Sequence, residues 1–161
     1  MRIGVFSDSH GDWEALDSLL EQMGYLDAAC FLGDVARDAQ HLQDRLSAMP
    51  GSPALYAVRG NNDYSHTCML PWDRVIELGG VRIYMEHGHR SVSLASLSYK
   101  AQEKGAGIAM FGHTHQAYQH HDGYVFLLNP GSAGNTCRGG RARACMLEIS
   151  RGKYNVTEYF A

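Results

Sequence analysis

Short hydrophobic runs that end in polar, metal-ligating side chains constrain the fold of this chain more than any other feature. The run 108–111 ends in Gly112-His113-Thr114-His115, and four other runs end in a similar way. The segments that follow them are Asp8-Ser9-His10, Gly33-Asp34, Gly60-Asn61-Asn62-Asp63 and His87-Gly88-His89. Two histidines at alternate positions after a buried strand can bring both ring nitrogens into one small volume, the arrangement that a pair of metal ions requires.

Helical periodicity between the first runs predicts an alternating α/β pattern. Buried strands are expected at 2–6, 28–32 and 55–58, with helices at 13–23 and about 38–49 between them. Asp12 is the expected cap of the first helix, whose apolar side is predicted to comprise Trp13, Leu16, Leu19, Leu20 and Met23. Open α/β sheets bind ligands at the carboxyl ends of their strands, where the polar segments stand.

The second half of the chain is dominated by hairpin signals. Runs at 74–78 and 81–85 flank the turn Gly79-Gly80, and further hairpins are predicted around Asp122-Gly123 and Arg151-Gly152. A helix is expected at 91–104, although its four serines weaken the pattern. A long Gly-rich loop is predicted at 129–141.

Composition bounds the kind of protein. A chain of 161 residues fits a single domain, 1–161, and a net charge of -3 gives no field for polymeric nucleic acid. No apolar stretch is long enough for a membrane span or a signal peptide, so a cytoplasmic location is expected. The cysteines at 30, 68, 137 and 145 lack zinc-site spacing and are expected to be reduced, with Cys30 in the core. A homo-oligomer is left open.

The candidate ligands form a mixed nitrogen and oxygen set without thiolate. They are the carboxylates Asp8 and Asp34, the imidazoles His10, His87, His113 and His115, and the amide oxygen of Asn61. Two divalent ions are expected, manganese first, with zinc, iron or nickel as alternatives, since a structural zinc would prefer cysteine. Any single histidine would be an ordinary surface residue, but seven candidates at five strand ends point to one site. His41, His120 and His121 are expected to lie outside it.

These motifs, in this order, resemble the calcineurin-like metallophosphoesterase superfamily, and in particular its small bacterial and archaeal phosphodiesterases of the YfcE type. The resemblance spans nearly the whole chain. It rests on Asp8-x-His10, Gly33-Asp34, Gly60-Asn61-x-Asp63, His87-Gly88-His89, Gly112-His113-x-His115 and Asn129-Pro130-Gly131-Ser132. One such motif would be weak evidence, whereas the ordered set is specific.

The resemblance implies an α/β (α+β) fold in which two mixed β-sheets pack as a sandwich flanked by helices, a four-layer αββα arrangement. One ion would take Asp8, His10, Asp34 and His115. The other would take Asn61, His87 and His113 together with Asp34, which bridges. A hydroxide bridging the two ions would then attack phosphorus in line, because coordination lowers the pKa of water toward ~7.

One position departs from the pattern of many catalytic relatives. They have histidine after the motif's asparagine, placed to protonate the leaving oxygen, whereas this chain has Asn62 at that catalytic position. Leaving groups that depart without a proton are therefore expected, or another donor, for which His89 and His66 are the candidates. Asp63 is predicted to orient a ligand or catalytic group.

Arginines near the motifs have two interpretations each. Arg37, three residues after Asp34, could bind a substrate phosphate or could be a solvated residue at a helix start. The arginines at 138, 141 and 143 are predicted to lie in a solvated loop, with substrate contact as the alternative.

The sequence thus predicts a metal-dependent phosphodiesterase acting on a small phosphoester substrate, without a membrane or polymeric nucleic-acid partner. Two alternatives stay open. One is a phosphomonoesterase or nucleotide hydrolase on the same site. The other is a catalytically weak, metal-bound protein-interaction module of the kind that a eukaryotic retromer subunit represents.

Overall fold

Strands and helices alternate through the first half of the chain, as the periodicity predicts. The computed structural model describes residues 1–64, 68–134 and 140–161. The first elements are β1 (Arg2–Phe6), α1 (Trp13–Met23), β2 (Ala28–Phe31), α2 (Ala36–Ser47) and β3 (Ala54–Ala57). They are followed by β4 (Asp73–Leu78), β5 (Val81–Glu86), α3 (Leu94–Glu103), β6 (Ile108–Met110), β7 (Tyr118–His121), β8 (Phe126–Asn129), β9 (Arg143–Ser150) and β10 (Lys153–Phe160).

The strands form two mixed sheets of five strands each, in the orders β10-β9-β1-β2-β3 and β4-β5-β6-β8-β7. In the first sheet β1, β2 and β3 are parallel, and β9 lies antiparallel beside β1. In the second sheet β5, β6 and β8 are parallel. The predicted Gly79-Gly80 hairpin is confirmed, with Leu78 paired to Val81. The parallel strands of both sheets therefore bring several carboxyl ends together.

Three groups of buried side chains confirm the predicted four-layer order. Between the sheets lie residues such as Val5, Cys30, Met85 and Met110. Helices α1 and α2 cover the outer face of the first sheet with a cluster that includes Leu16, Leu42, Phe6 and Phe31. Helix α3 covers the second sheet through Leu97 and Ala101, which pack near Tyr84 and Ala109. No helix in the described ranges is long and apolar enough to cross a membrane.

Two helices begin elsewhere than the pattern predicts. Helix α2 begins at Ala36, before the expected 38, because Val35 adopts a left-handed conformation (φ 77°) directly after Asp34 and turns the chain at once. Helix α3 begins at Leu94 rather than 91, because Ser93 caps it in a capping box with Ser96. The serines that weaken the helical pattern thus define where the helix starts.

Trp13 does not join the apolar side of α1, contrary to the prediction. It is 44% exposed, its ring stacks on His41 with centroids 4.7 Å apart, and its indole Nε1 donates to Asp38 Oδ1 at 2.7 Å. The Nε2 atom of His41 in turn lies 2.8 Å from Asp17 Oδ1. Cys30 and Cys145 are buried free thiols and Cys68 is a partly exposed one, whereas Cys137 lies outside the described residues.

A buried carboxylate fastens α3 to β5. The oxygens of Glu86 accept hydrogen bonds from Tyr84 Oη at 2.6 Å, Ser91 Oγ at 2.5 Å and Lys100 Nζ at 2.9 Å. Burial works to raise the pKa of Glu86, but the hydrogen bonds from Ser91, Tyr84 and Lys100 outweigh it and hold the pKa below its ordinary 4.5. The ionised carboxylate therefore stabilises the native state.

Glu86→Gln is expected to lower the free energy of unfolding at neutral pH by about 1–3 kcal/mol, because it removes the charge that Lys100 pairs with. Since the folded-state pKa is lowered, this stabilisation is complete above pH 4.5 and is lost as the pH falls through the folded-state value. Urea unfolding over a pH series measures it, with Glu103→Gln on the exposed side of α3 as the control. A wild-type advantage that widened as the pH fell would contradict this role.

Candidate metal centre

Every predicted ligand follows the carboxyl end of a strand, and the ligands come from both sheets. Asp8 and His10 follow β1, Asp34 follows β2 and Asn61 follows β3, while His87 follows β5 and the two histidines at 113 and 115 follow β6. The loops are joined by backbone hydrogen bonds from Asp8 N to Gly33 O at 3.1 Å and from Gly112 N to His87 O at 2.9 Å. The centre therefore lies where the strand ends of the two sheets meet.

The loops that carry the ligands turn sharply. Among the described residues, eight non-glycine residues have a positive φ, and five of them are the predicted ligands Asp8, His10, Asp34, His113 and His115. Left-handed backbone is unfavourable for such residues and persists where the surrounding structure imposes it. The strain is thus concentrated in the candidate site.

One compact group of ligands is formed by Asp8, His10 and His115. The Nε2 atoms of the two histidines lie 3.2 Å apart, and Asp8 Oδ1 lies 3.3 Å from His115 Nε2. These are three of the four residues predicted for the first ion. Asp34 approaches the same group, with its Oδ2 3.9 Å from His10 Nε2.

A second group is formed by Asp8, Asp34 and His87. Asp34 Oδ1 lies 3.5 Å from His87 Nε2, and Asn61 Oδ1 lies 2.9 Å from the same nitrogen. The other ring nitrogen, Nδ1, lies 2.7 Å from Leu32 O, which fixes the orientation of the imidazole. Three residues predicted for the second ion, Asp34, Asn61 and His87, are therefore adjacent.

Two carboxylates reach both groups. Asp34 presents one oxygen to His87 and the other to His10, the placement that a bridging ligand needs. Asp8, predicted to serve the first ion alone, also lies between the groups, because its Oδ1 is 3.8 Å from His87 Nε2. The structure thus places two carboxylates between the two groups of candidate ligands, where the sequence predicted one bridging residue.

His113 lies on the side of the second group without being one of its three members. Its ring centroid is 5.2 Å from that of His87 and 6.1 Å from that of His89. Its backbone N–H donates to Asp8 Oδ2 at 2.9 Å. His113 thus lies beside His87, and His115 lies beside His10. The division of the two histidines between two ions stays a prediction.

The electrostatics of the centre suit cations. Asp8 Oδ1 is buried and has no hydrogen-bond partner among the described residues. Burial and the charge of Asp34 raise the pKa of Asp8 to about 6, with hydrogen bonds from Ser7 and His113 opposing them. Burial lowers the pKa of His87 to about 4, so its ring is neutral, the form that binds metal. An unsatisfied carboxylate oxygen beside the neutral ring of His87 is what a divalent ion would satisfy.

Asn62 and Asp63 act on the loops around Asp34. Asn62 donates from its backbone N to Asp34 Oδ1 at 3.0 Å and from Nδ2 to Asp34 Oδ2 at 2.8 Å. Asp63 accepts from Ala36 N at 2.6 Å and from Gly60 N at 2.8 Å. The Asp63 carboxylate therefore holds the backbone on either side of Asp34 and Asn61, and does not contact a ligand side chain in the described structure.

The remaining predicted residues are spread around the centre. His89 lies next to the second group, its ring 5.4 Å from His87 and 5.5 Å from Trp72, and its buried Nδ1 has no described partner. Burial, with the charges of His113 and Arg90, lowers the pKa of His89. Arg37 is exposed and forms no ion pair with a described residue. His66 and Arg138 lie outside the described residues.

Besides a recess of about 420 Å³ that has His115 and Arg143 in its wall, two further recesses lie near the centre. One, of about 340 Å³, is lined by His87, His89, Trp72 and Arg90, with the Arg90 guanidinium 5.1 Å from the Trp72 ring centre. The other, of about 400 Å³, has Asn62 and Arg37 in its wall. Each is large enough for an organic substituent of a small ligand.

Sequence reasoning missed two features that shape the centre. One is Asp38, a buried carboxylate on α2 that accepts hydrogen bonds from the loop that carries His10. Its position four residues after Asp34 is the sequence signal that could have identified it as part of the site. Gly60 is the other, since a Cβ at this position would lie 2.2 Å from Asp34 Oδ1. Glycine there lets the loop that carries Asn61 approach Asp34.

A sandwich of mixed sheets with carboxylate and imidazole ligands at adjoining strand ends defines the class of metal-dependent phosphoesterases. The chain belongs to the calcineurin-like phosphoesterase superfamily, whose domain model matches residues 1–152. A probable metallophosphoesterase of Methanocaldococcus jannaschii is 28% identical over 138 residues, which cover 82% of this chain and 68% of the relative. This membership confirms the resemblance that the motifs indicate.

Solved structures agree on the fold. A predicted phosphoesterase from Streptococcus pneumoniae is 28% identical with a TM-score of 0.76, over 99% of this chain and 88% of that one. An archaeal phosphodiesterase has a TM-score of 0.78 at 18% identity, covering 99% and 100% of the two chains. Vps29 of Chaetomium thermophilum has a TM-score of 0.75 at 22% identity, covering 99% and 96%. At these lower identities the likeness concerns the fold alone.

Proposed function

We propose that this chain is a phosphodiesterase that hydrolyses small organic phosphodiesters with the help of two divalent ions. The observation that carries the proposal is the buried, unpartnered Oδ1 of Asp8, which faces His115 on one side and His87 on the other. The ions would be held by Asp8, His10, Asp34 and His115 on one side and by Asp34, Asn61, His87 and His113 on the other. Manganese is the first choice, with zinc, iron or nickel as alternatives, because the set lacks thiolate.

Two ions in these positions would supply a water molecule ionised near neutral pH for in-line attack on phosphorus, together with positive charge for the phosphate oxygens. The residues of the chain provide orientation. His87 is fixed by Leu32 O, and Asp34 is fixed by both donors of Asn62. His89, whose ring lies 5.4 Å from that of His87, is the proposed donor of a hydrogen bond to a phosphate oxygen or to the leaving oxygen.

The recesses favour a diester over a monoester. A diester carries two organic substituents, and the centre has one recess beside His89 and Trp72 and another beside Asn62 and Arg37. Arg37, exposed and without a described ion pair, is the proposed phosphate contact on the second side. A monoester would leave one of these recesses unused.

Hydrolysis of bis(p-nitrophenyl) phosphate with added Mn²⁺ tests the proposal, with p-nitrophenyl phosphate as the monoester for comparison. We expect faster turnover of the diester and no metal-dependent turnover by Asp34→Asn. Turnover no higher than the metal blank would refute the proposal. A faster rate on the monoester would favour the monoesterase alternative. Metal binding without turnover of either ester would favour the catalytically weak, metal-bound protein-interaction module.

The amide at position 62 sets a limit on the leaving group. An amide does not release a proton near neutral pH, so Asn62→His is expected to speed hydrolysis of dialkyl diesters by up to ~10²-fold, the lower end of what a general acid contributes. Aryl diesters, whose leaving groups depart without a proton, should gain little. The measurement is the ratio of kcat/KM for glycerophosphoethanolamine to that for bis(p-nitrophenyl) phosphate.

Asn155→His, at an exposed position on β10, is the matched control for an added imidazole. It should leave the ratio unchanged. An equal gain on both substrates in Asn62→His would show that position 62 does not act on the leaving group.

A further inference from the structure

We propose that Asp38 is a positioning residue that fixes His10 and thereby sets the affinity of the ion held by Asp8, His10 and His115. The inference rests on the proposed metal centre and adds to it a residue outside the predicted ligand set. Asp38 lies in the first turn of α2 and its side chain is buried, with the residue 1% exposed.

The contacts of Asp38 converge on the loop between β1 and α1. Its Oδ2 accepts hydrogen bonds from Ser9 Oγ at 2.6 Å and from Gly11 N at 2.8 Å. Ser9 and Gly11 are the residues on either side of His10. Its Oδ1 accepts from Trp13 Nε1 at 2.7 Å, at the start of α1. One carboxylate thus holds both neighbours of a candidate ligand.

Apart from the approach of its Nε2 to His115 Nε2 at 3.2 Å, little in the described structure fixes the position of His10. Its backbone is left-handed, with φ 48°, which is unfavourable for a residue with a Cβ. Its side chain is 38% exposed, so packing does not determine the ring position. Hydrogen bonds to a carboxylate such as that of Asp38 are stronger than hydrogen bonds between neutral groups. The two bonds from Ser9 and Gly11 therefore hold the left-handed turn at His10 from both sides.

Asp38 also relates two ligand-bearing loops to each other. It lies one helical turn after Asp34, on the helix that begins immediately beyond that ligand. A carboxylate on this helix that binds Ser9 and Gly11 sets the distance between His10 and Asp34. In the structure His10 Nε2 and Asp34 Oδ2 are 3.9 Å apart, a separation that one ion could span.

A simpler role for Asp38 would be to anchor Trp13, and thereby α1, to α2. The two roles use different oxygens, since Oδ1 serves Trp13 and Oδ2 serves the His10 loop. Trp13→Phe removes the bond to Oδ1 and keeps most of the ring, including its stacking surface for His41. It is therefore the matched control for the anchoring role.

The experiment is calorimetric titration of the metal-free protein with Mn²⁺. His10→Ala serves as the benchmark that identifies which binding step involves His10. Asp38→Ala is expected to weaken that same step by about 10–100-fold, the range typical for residues that orient a ligand. The other step should keep its wild-type affinity, and Trp13→Phe should lower the melting temperature without changing either step.

Ser9→Ala decides the question if Asp38→Ala does not fold, since it keeps the carboxylate and the Trp13 bond and removes one bond beside His10. A loss in the His10 step, smaller than that of Asp38→Ala, supports the proposal. Wild-type affinity in the folded variants, or an equal loss in Trp13→Phe, overturns it while leaving the metal centre intact. A wild-type protein that binds none of Mn²⁺, Zn²⁺, Fe²⁺ and Ni²⁺ overturns both this inference and the proposed function.

Discussion

Asp34→Asn is expected to lose more than ~100-fold of the metal-dependent diesterase activity, exceeding the usual effect of a residue that only orients a ligand. Asp34 is 2% exposed, and its two oxygens face His87 at 3.5 Å and His10 at 3.9 Å. The substitution removes one negative charge and one acceptor oxygen from between the two groups. Neither ion would then keep its full set of ligands.

The same variant is expected to fold, which separates loss of metal from loss of structure. Burial and, to a smaller extent, the charge of Asp34 raise the pKa of Asp8, so the two carboxylates repel each other in the metal-free protein. Removing that repulsion offsets the loss of one acceptor for Asn62. In chelator, the melting temperatures of wild type and Asp34→Asn should therefore be similar.

Added Mn²⁺ should distinguish the two proteins. A ligand that binds the native state at 100 times its dissociation constant stabilises it by about 2.7 kcal/mol, so the wild type should melt at a higher temperature with metal. Asp34→Asn should show little of this rise. The matched control is Asp44→Asn, an exposed carboxylate on the same helix as Asp38, which should behave as wild type in both measurements. An Asp34→Asn protein that bound two ions at wild-type affinity would refute the bridging role.

The layers of the fold and the strand ends that carry the ligands could be predicted because both are local. Hydrophobic runs of strand length, the Gly79-Gly80 turn and the amphipathic pattern of α1 depend on neighbours in the sequence. The loops at 8–10, 33–34, 60–63, 87–89 and 112–115 then follow from where those runs end. Family membership supports the same order of motifs through residue 152.

The conformation of the loops could not be predicted because it depends on contacts between distant segments. Left-handed backbone, as at Asp8, His10 and Asp34, is uncommon in non-glycine residues, although Asp and His adopt it more often than most. It is imposed from elsewhere, as the bonds from Ser9 and Gly11 to Asp38 illustrate. The position of Asp8 Oδ1 between both ligand groups likewise requires two sheets, which no single motif encodes.

Trp13 of helix α1 is another residue whose contacts could not be predicted from the local sequence. Its spacing with Leu16 and Leu20 is that of a buried face, yet it lies at the first position of α1 and is 44% exposed. The indole instead donates to Asp38 and stacks on His41. A hydrophobic pattern identifies the face of a helix but not the point along it at which burial ends.

Gly112→Ala is expected to disrupt the metal centre severely. A Cβ at position 112 would lie 1.9 Å from Ser7 Oγ and 2.7 Å from Asp8 Oδ2. Ser7 and Asp8 are both fully buried, so neither can move aside into solvent. The loop that carries His113 and His115 would have to shift away from the loop that carries Asp8.

The expected losses are in both stability and metal binding. Forcing a methyl group into a packed interior typically lowers the free energy of unfolding by about 1–3 kcal/mol. For a chain of this size that corresponds to roughly 2–4 °C in melting temperature per kcal/mol. Because His113 N would lose its position against Asp8 Oδ2, Mn²⁺ affinity should fall as well.

Gly107→Ala is the matched control, since Gly107 precedes the same strand, β6, whose other end leads into Gly112. A Cβ at position 107 would meet no atom within 4 Å, and its φ is not in the left-handed region. It should leave melting temperature and Mn²⁺ affinity unchanged.

Gly112→Ala combined with Ser7→Ala removes the shortest contact, so it should recover part of the stability. Mn²⁺ affinity should not recover, because the contact with Asp8 Oδ2 remains. Full recovery of Mn²⁺ affinity in that double variant would show that the loops are held apart by Ser7 alone and that the closeness of Gly112 to Asp8 is not required for the centre.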